Sequence, residues 1–361
     1  MTASQPKAYA QAGVDIALAD RLLAKVKPAL KEARRPESLG SIGGFGGLFD
    51  ISGITKKFPH PVLVSSTDSV GTKVKAASLA GIYRNLGADI VNHCANDVAV
   101  CGAEPLYFLD YYATGRLEEK SYVSLLRGLA KACKEGNIAL VGGETAELPG
   151  VYVENEFDLV GTIVGVVDKP KILTGEPIRP GDVIIGLGSS GLHTNGFSLA
   201  RKILFEQMGL LTEELLPGTR TKVGDALLRP HVNYAPFLLA AQAVLNHASK
   251  ASIRKGNQFF GAAHLTGGGF TGNIPRVLPE KVNAVIETTS WKPLPIFEVL
   301  AGHGSVAFEE LYEVFNMGIG MVVVVAEEAV ELTLKLAEQH RHKATVIGRI
   351  VPGNGTVELR R

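Results

Sequence analysis

Three acidic residues stand where apolar runs give way to small or polar ones: Asp68 in TDSVGTK, Asp97 in NHCAND and Glu144 in VGGETAE. Carboxylates drawn from separate segments suit a hard cation such as Mg²⁺, whose other positions are filled by water and nucleotide phosphate. Each acid alone fits a helix cap or a turn equally well; as a set of three they favour a metal site. Gly71-Thr72-Lys73 follows Asp68 directly. Gly71 frees the backbone, Thr72 offers a hydroxyl, and Lys73 places a charge at a helix start, where phosphate binds well. A solvated lysine is the plainer alternative, and no GxxxxGK[ST] motif occurs. GGFGG at 43–47 is compatible with a phosphate cradle, a mobile lid or a linker. Its place between a basic helix (Lys25, Lys27, Lys31, Arg34, Arg35) and the Asp68 strand favours a lid over phosphates.

His193 lies in SSGLHTNGFS, among small polar residues before a helix. An imidazole there can act as acid or base near neutral pH, or simply cap the helix. His264 precedes LTGGGF, a glycine cluster that with Arg276 can bind a substrate phosphate or form a tight turn. Gly186 to Gly191 reads GLGSSG and fits the dinucleotide pattern GxGxxG. That motif requires a second strand ending in an acid about twenty positions on. GLLTEELLPGTRT, with no apolar strand before its acids, stands there instead, so NAD is disfavoured.

The elements that must carry these residues alternate. Residues 15–35 have helical spacing with Asp15 as N-cap, and Pro28 is expected to kink or divide that helix. A buried strand is expected at 61–68, helices at 72–80 and 83–101, a strand at 104–114 and a helix at 119–135. The strands NIALVGGE and FDLVGTIVGVVD complete the first half. The proline- and glycine-rich stretch 168–182 marks the boundary, giving domains 1–170 and 171–361. The second half begins with the strand DVIIGLG and the helix FSLARKILF. Further helices are expected near 231–248, 271–278, 295–301 and 306–315, then the strands MVVVVA and ATVIGRIV around a helix at 327–340. The class is α/β or α+β.

The 361 residues favour two domains. Thirty-seven basic against 36 acidic residues give a net charge of +1, with no basic excess to draw nucleic acid. Three cysteines without a CxxC pair point to a reducing compartment. No apolar run reaches a membrane span, and MTASQPKAYAQAG lacks the apolar core of a signal peptide. The expected location is the cytoplasm.

YAQAGVDI, RRPESLGSIGGFGGLFD, VLVSSTDSVGTK, GAEPLYFLDYYATG, LVGGETAELPG, LGSSGLHTNGFSL and AHLTGGGFTGNIPRVLP occur in this order across nearly the whole chain. Together they closely resemble the phosphoribosylformylglycinamidine cyclo-ligase (aminoimidazole ribonucleotide synthetase) family. Ser69 departs from the glycine usual in that family's TDGVGTK. The resemblance implies a two-domain ATP-binding superfamily fold, whose N-terminal domain closes an intersubunit β-barrel in a homodimer. It implies ATP-dependent closure of formylglycinamidine ribonucleotide to aminoimidazole ribonucleotide through an iminophosphate, in purine biosynthesis. Mg²⁺ would rest on Asp68, Asp97 and Glu144. ATP would meet Gly43, Gly44, Gly46 and Gly47 of the lid, then Thr67, Gly71, Thr72 and Lys73, with Asn92 and Gly143. Substrate would meet Ser190, His193, Thr266 to Gly269 (including Gly267 and Gly268), Asn273 and Arg276. His193, Asn195 and Lys73 would serve the reaction. The rival within the superfamily, a selenophosphate synthetase-like enzyme, carries a reactive cysteine near its N-terminus, and no cysteine precedes Cys94 here.

Overall fold

The fold was taken from a computed structural model that describes residues 8–40, 42–154, 156–246 and 258–361. The opening segment MTASQPK and the end of the helix expected to reach 248 lie outside those residues.

Two sheets organise the molecule. The first contains β3 (Pro61–Ser69), β4 (Glu104–Thr114), β5 (Ala139–Glu147) and β6 (Phe157–Asp168) in the order β3-β6-β4-β5. β6 is antiparallel to both neighbours, and β4 and β5 run parallel. Alternation of side chains separates two faces. Leu159 and Ile163 of β6 and Phe108 and Tyr112 of β4 are buried on one of them. Helices Arg84–Ala99 and Glu119–Glu135 cover that face. Leu63, Ser65 and Thr67 of β3 lie exposed on the other, beside the half-buried Val160, Thr162 and Val164. A small antiparallel hairpin, β1 (Ser38–Leu39) with β2 (Leu48–Phe49), precedes this sheet.

The second sheet holds β7 (Val183–Gly188), β8 (Phe259–His264), β9 (Val282–Glu287), β10 (Ile319–Val325), β11 (Ala344–Pro352) and β12 (Val357–Arg360). Their order is β12-β9-β11-β7-β10-β8, antiparallel except for the β12–β9 pair. All of β10 is buried, which is why its sequence is an unbroken apolar run. The first sheet ends at Asp168 and the second begins at Val183.

Pro28 does not divide its helix, which runs from Ile16 to Glu32. Pro28 and Ala24, whose carbonyl loses its partner, both face solvent, while Leu22, Val26 and Leu30 hold the opposite face in the core. The 61–68 strand, the two central helices and the 104–114 strand match their expected spans within a few residues. β8, β9, β12 and the small hairpin are additions to what the residue pattern suggested.

Candidate active site

Helix Arg84–Ala99 lies between the two halves, and this position dictates its sequence. Leu86, Ile90, Cys94 and Val98 are buried in the core. Asn85, Asp89, Asn92 and Asn96 follow at intervals of four, three and four, so they line one stripe of the helix. That stripe holds the backbone of residues 228–234. Asn85 Nδ2 donates to Leu228 O (2.7 Å), Asn92 Nδ2 to His231 O (2.7 Å) and Asn96 Nδ2 to Val232 O (2.9 Å). In return His231 N–H donates to Asp89 Oδ1 and Tyr234 N–H to Asn96 Oδ1, both at 2.7 Å.

The same helix carries His93 and Asp97 to the end of β3, where Asp68 stands, and to the end of β8, where His264 stands. A hydrogen-bonded chain results, and its proton positions follow from the acceptors at its ends, since ionised carboxylates only accept. His264 Nδ1–H donates to Asp97 Oδ1 (2.8 Å), so the neutral ring accepts at Nε2 from His231 Nε2–H (2.8 Å). His231 Nδ1 then accepts from the Thr194 hydroxyl (3.4 Å), and Thr194 Oγ1 accepts from His93 Nδ1–H (2.8 Å). His93 Nε2 lies 2.9 Å from Asp68 Oδ2 and 3.6 Å from Asp97 Oδ2. His93 therefore carries both protons.

The charges agree with this assignment. Burial opposes ionisation of His93, but its bond to Asp68 and the nearby Asp97 outweigh that and raise its pKa. Burial likewise pushes Asp68 and Asp97 upward, yet His93 and His264 respectively leave both carboxyls below their ordinary value. His264 is lowered by burial, with Asp97 opposing. Burial holds His193 and His231 well below the ordinary histidine value, and neighbouring imidazoles add to it. His193 is thus a neutral acceptor. Its ring stacks on His231 at 4.0 Å, its Nε2 accepts from Ser190 N–H at 3.3 Å, and its Nδ1 is buried without a partner.

Local backbone makes this packing possible. His193 has a left-handed φ of 61°. Gly320 of β10 leaves room for the ring, since a Cβ there would come within 2.4 Å of His193 Cε1 and 2.2 Å of the Tyr234 hydroxyl. Asn195 Nδ2 donates to Thr194 Oγ1 (3.3 Å), and Asn195 Oδ1 abuts Gly267. The Thr266–Gly269 turn thereby borders the His193 loop. Gly268 and Gly269 adopt φ of 93° and 53°. The Asn273 carboxamide is buried and donates to Gly269 O (2.8 Å) and Gly267 O (3.2 Å), so it braces this turn from within rather than facing a substrate. Arg276 and Ser190 remain at the border, with Ser190 Oγ donating to Pro230 O (2.6 Å).

Within a single chain several of the expected site residues have other surroundings. Lys73 does not point to a phosphate: it is wholly buried, and Asp89 Oδ2 (2.7 Å), His193 O (2.7 Å) and Arg229 O (3.0 Å) surround its Nζ. Asn92 gives its amide to His231 O, as described. Glu144 does not join Asp68 and Asp97. It sits on β5, opposite Tyr111, on the face turned away from the two long helices and three strands from β3, roughly 14 Å at ordinary strand spacing. Gly143 beside it is needed for packing, since a Cβ would meet Asp110 Oδ1 at 2.2 Å. Finally, within one chain the glycine loop lies at the β5 edge of the sheet, away from the Asp68 edge. Gly43, Gly44 and Gly46 form the exposed tip of the small hairpin, and Gly47 packs against Val141 of β5.

Gly71, Thr72 and Thr67 do lie at the Asp68 end: Thr72 Oγ1 is 3.1 Å from Ser198 Oγ, and Thr67 Oγ1 is 2.9 Å from Thr162 Oγ1. Ser69 replaces the family's glycine without strain, because its φ is not positive and its hydroxyl accepts from Gly71 N–H (3.2 Å). His93, Thr194 and His231 were not singled out from the sequence. The one available signal was His93 four residues before Asp97 on a helix. As a metal site, Asp68 and Asp97 fit within one chain as a pair of oxygen ligands oriented by imidazole donors, with Glu144 of the same chain across the sheet from them.

Comparison with known proteins agrees with this architecture. Residues 55–167 match the AIR synthase related protein N-terminal domain, and residues 179–360 match the corresponding C-terminal domain. The chain is 45% identical over 349 residues to the phosphoribosylformylglycinamidine cyclo-ligase of Geobacillus thermodenitrificans, covering 97% of each. It is 44% identical over 348 residues to that of Bacillus thuringiensis, covering 96% of each. The fold is shared with a thiamine-monophosphate kinase from Stenotrophomonas maltophilia (TM-score 0.65, 18% identity, 96% of each chain). It is shared also with the hydrogenase maturation protein HypE in complex with ATP (TM-score 0.62, 19% identity, 94% of this chain and 90% of that one). Both domain matches and near-full-length identity converge: the chain belongs to the phosphoribosylformylglycinamidine cyclo-ligase family.

Proposed function

We propose that the junction of the two sheets, between Asp68, His93, Asp97 and His264, is where this chain carries out the reaction of its family. That reaction is the ATP-dependent closure of formylglycinamidine ribonucleotide to aminoimidazole ribonucleotide, ADP and phosphate, a step of purine biosynthesis. The observation that carries the reading is the hydrogen-bonded carboxylate–imidazole chain assembled from both halves, with the Ser190–Asn195 loop and the Thr266–Gly269 turn at its border.

An amide carbonyl is a weak electrophile, and its oxygen leaves poorly. Transfer of the ATP γ-phosphoryl group to that oxygen gives an iminophosphate; the substrate's own nitrogen then attacks the carbon and phosphate departs. The attacking nitrogen loses one proton, and the neutral His193 would take it at Nε2, in place of the 3.3 Å bond that this atom accepts from Ser190 N–H. Asn195 and the glycine turn would orient the substrate, with Arg276 on its phosphate. Asp68 and Asp97 would hold Mg²⁺, which neutralises phosphate charge when bound.

We further propose that the division falls at 170/171, that the protein acts in the cytoplasm, and that it forms a homodimer through the face of the first sheet turned away from its two long helices. No helix among the described residues is long and apolar enough to cross a membrane. The activity is tested by supplying formylglycinamidine ribonucleotide and ATP. ADP and aminoimidazole ribonucleotide should appear in equal amounts; ADP release that ignores the ribonucleotide would contradict the reading.

A further inference from the structure

Lys73 and Asp89 form a fully buried ion pair, and both bond backbone groups rather than the imidazole rings of the hydrogen-bonded chain. Such a pair is a poor source of stability, because the cost of taking two charges out of water offsets their attraction. What distinguishes this one is the set of backbone groups it holds. Lys73 Nζ donates to the carbonyl of His193 and to that of Arg229, and Asp89 Oδ1 accepts from the amide of His231. His193 and His231 come from separate segments, yet their rings stack at 4.0 Å, and His231 Nε2 then reaches His264. His193 also sits at a φ of 61°, a conformation a non-glycine residue keeps only when its surroundings enforce it. Nζ donates to two carbonyls and stands 2.7 Å from its counter-charge Asp89 Oδ2 in a fully buried position, which leaves no room for a phosphate.

We propose that Lys73, together with Asp89, is a positioning residue: it fixes the backbone of His193 and His231 so that the His193 imidazole, stacked on that of His231, faces the reacting amide. The inference rests on the reading of His193 as the residue beside that amide. Asn92 and Asn96 extend the same hold along the helix. Lys73 thereby acts on the chemical step and leaves nucleotide affinity alone.

The test uses the full-length enzyme and four variants. Lys73→Met should lower kcat by about 10- to 100-fold while the Kd for Mg·ATP stays within about threefold, the split expected of an effect felt only in the transition state. It leaves Asp89 without a counter-charge, so Lys73→Met/Asp89→Asn is made beside it. That variant keeps an acceptor for the His231 amide, should unfold cooperatively and should show the same kcat loss. Placed in a His193→Ala background, Lys73→Met should have little further effect on kcat, because both changes remove one unit. A Kd for Mg·ATP that rises in step with the kcat loss would make Lys73 a phosphate ligand and overturn the proposal. Independent losses in the His193→Ala background, wild-type kcat in Lys73→Met, or failure of the double variant to fold would overturn it too. If His193→Ala itself keeps wild-type kcat, the reading of His193 falls first, and the two failures are distinguished.

Discussion

At the scale of single residues, burial decides which charged groups can do chemistry. His193, Lys73 and Asp97 look alike in sequence, as polar residues beside glycine or small neighbours. The structure gives them different roles: a neutral imidazole, a structural cation and a carboxylate held ionised by His264. Asp110 of β4 is a fourth case. It is half-buried beside Gly143, and burial pushes its carboxyl up to about 7 from 3.8. A carboxyl raised on folding favours the folded state while protonated, so its contribution is present below about pH 4 and is lost as pH rises to about 7. Asp110→Asn should therefore gain stability over the wild type progressively across that window and hold the gain above it. Partial exposure keeps the gain to roughly 1–3 kcal/mol at pH 8. Urea unfolding of both proteins at about pH 5 and pH 8 checks this; a gap that does not widen with pH would show that Asp110 is not destabilised by ionisation.

At the scale of elements, strong periodicity was legible and docking was not. The Arg84–Ala99 and Glu119–Glu135 helices and strands β3, β4 and β6 follow from apolar spacing alone. β8 escaped notice because FFGAAH is short, fully buried and interrupted by Gly261, so it carries no alternation. The Asn85–Asp89–Asn92–Asn96 stripe reads in sequence as a solvated face, and only the second half of the chain turns it into a clasp. Glu144 and Asp68 share a setting in sequence, each after an apolar run; strand order, which sequence does not reveal, puts them on opposite edges of one sheet within the chain. The face of that sheet turned away from the two long helices is covered at one end by Ile54 of the short helix Ser52–Lys57, packed on Leu106 and Val166, and beyond it Leu63 is exposed and Leu109 and Tyr111 half-buried. An apolar face of this kind calls for a cover. Light scattering at micromolar concentration should give the mass of a homodimer, and Leu63→Glu should shift it toward the monomer. A monomeric, active wild type would contradict this assembly.

At the scale of the whole molecule, the site exists only because the two halves meet. β3 and the central helix bring Asp68, His93 and Asp97; β8 and the loop after β7 bring His264, His193 and Thr194; the 229–234 segment adds His231 between them. The long motifs identified the family, while the partners of each motif residue depend on contacts more than a hundred positions apart, as between His93 and Thr194 or Asp97 and His264. The central claim is that ring closure occurs at this junction with His193 as proton acceptor. Steady-state kinetics of His193→Ala with formylglycinamidine ribonucleotide and Mg·ATP tests it most directly. The account predicts a kcat lower by about two to four orders of magnitude, the usual scale for losing an acid–base group, with the KM for ATP little changed. Wild-type kcat, or a loss confined to the KM for ATP, would place the chemistry elsewhere.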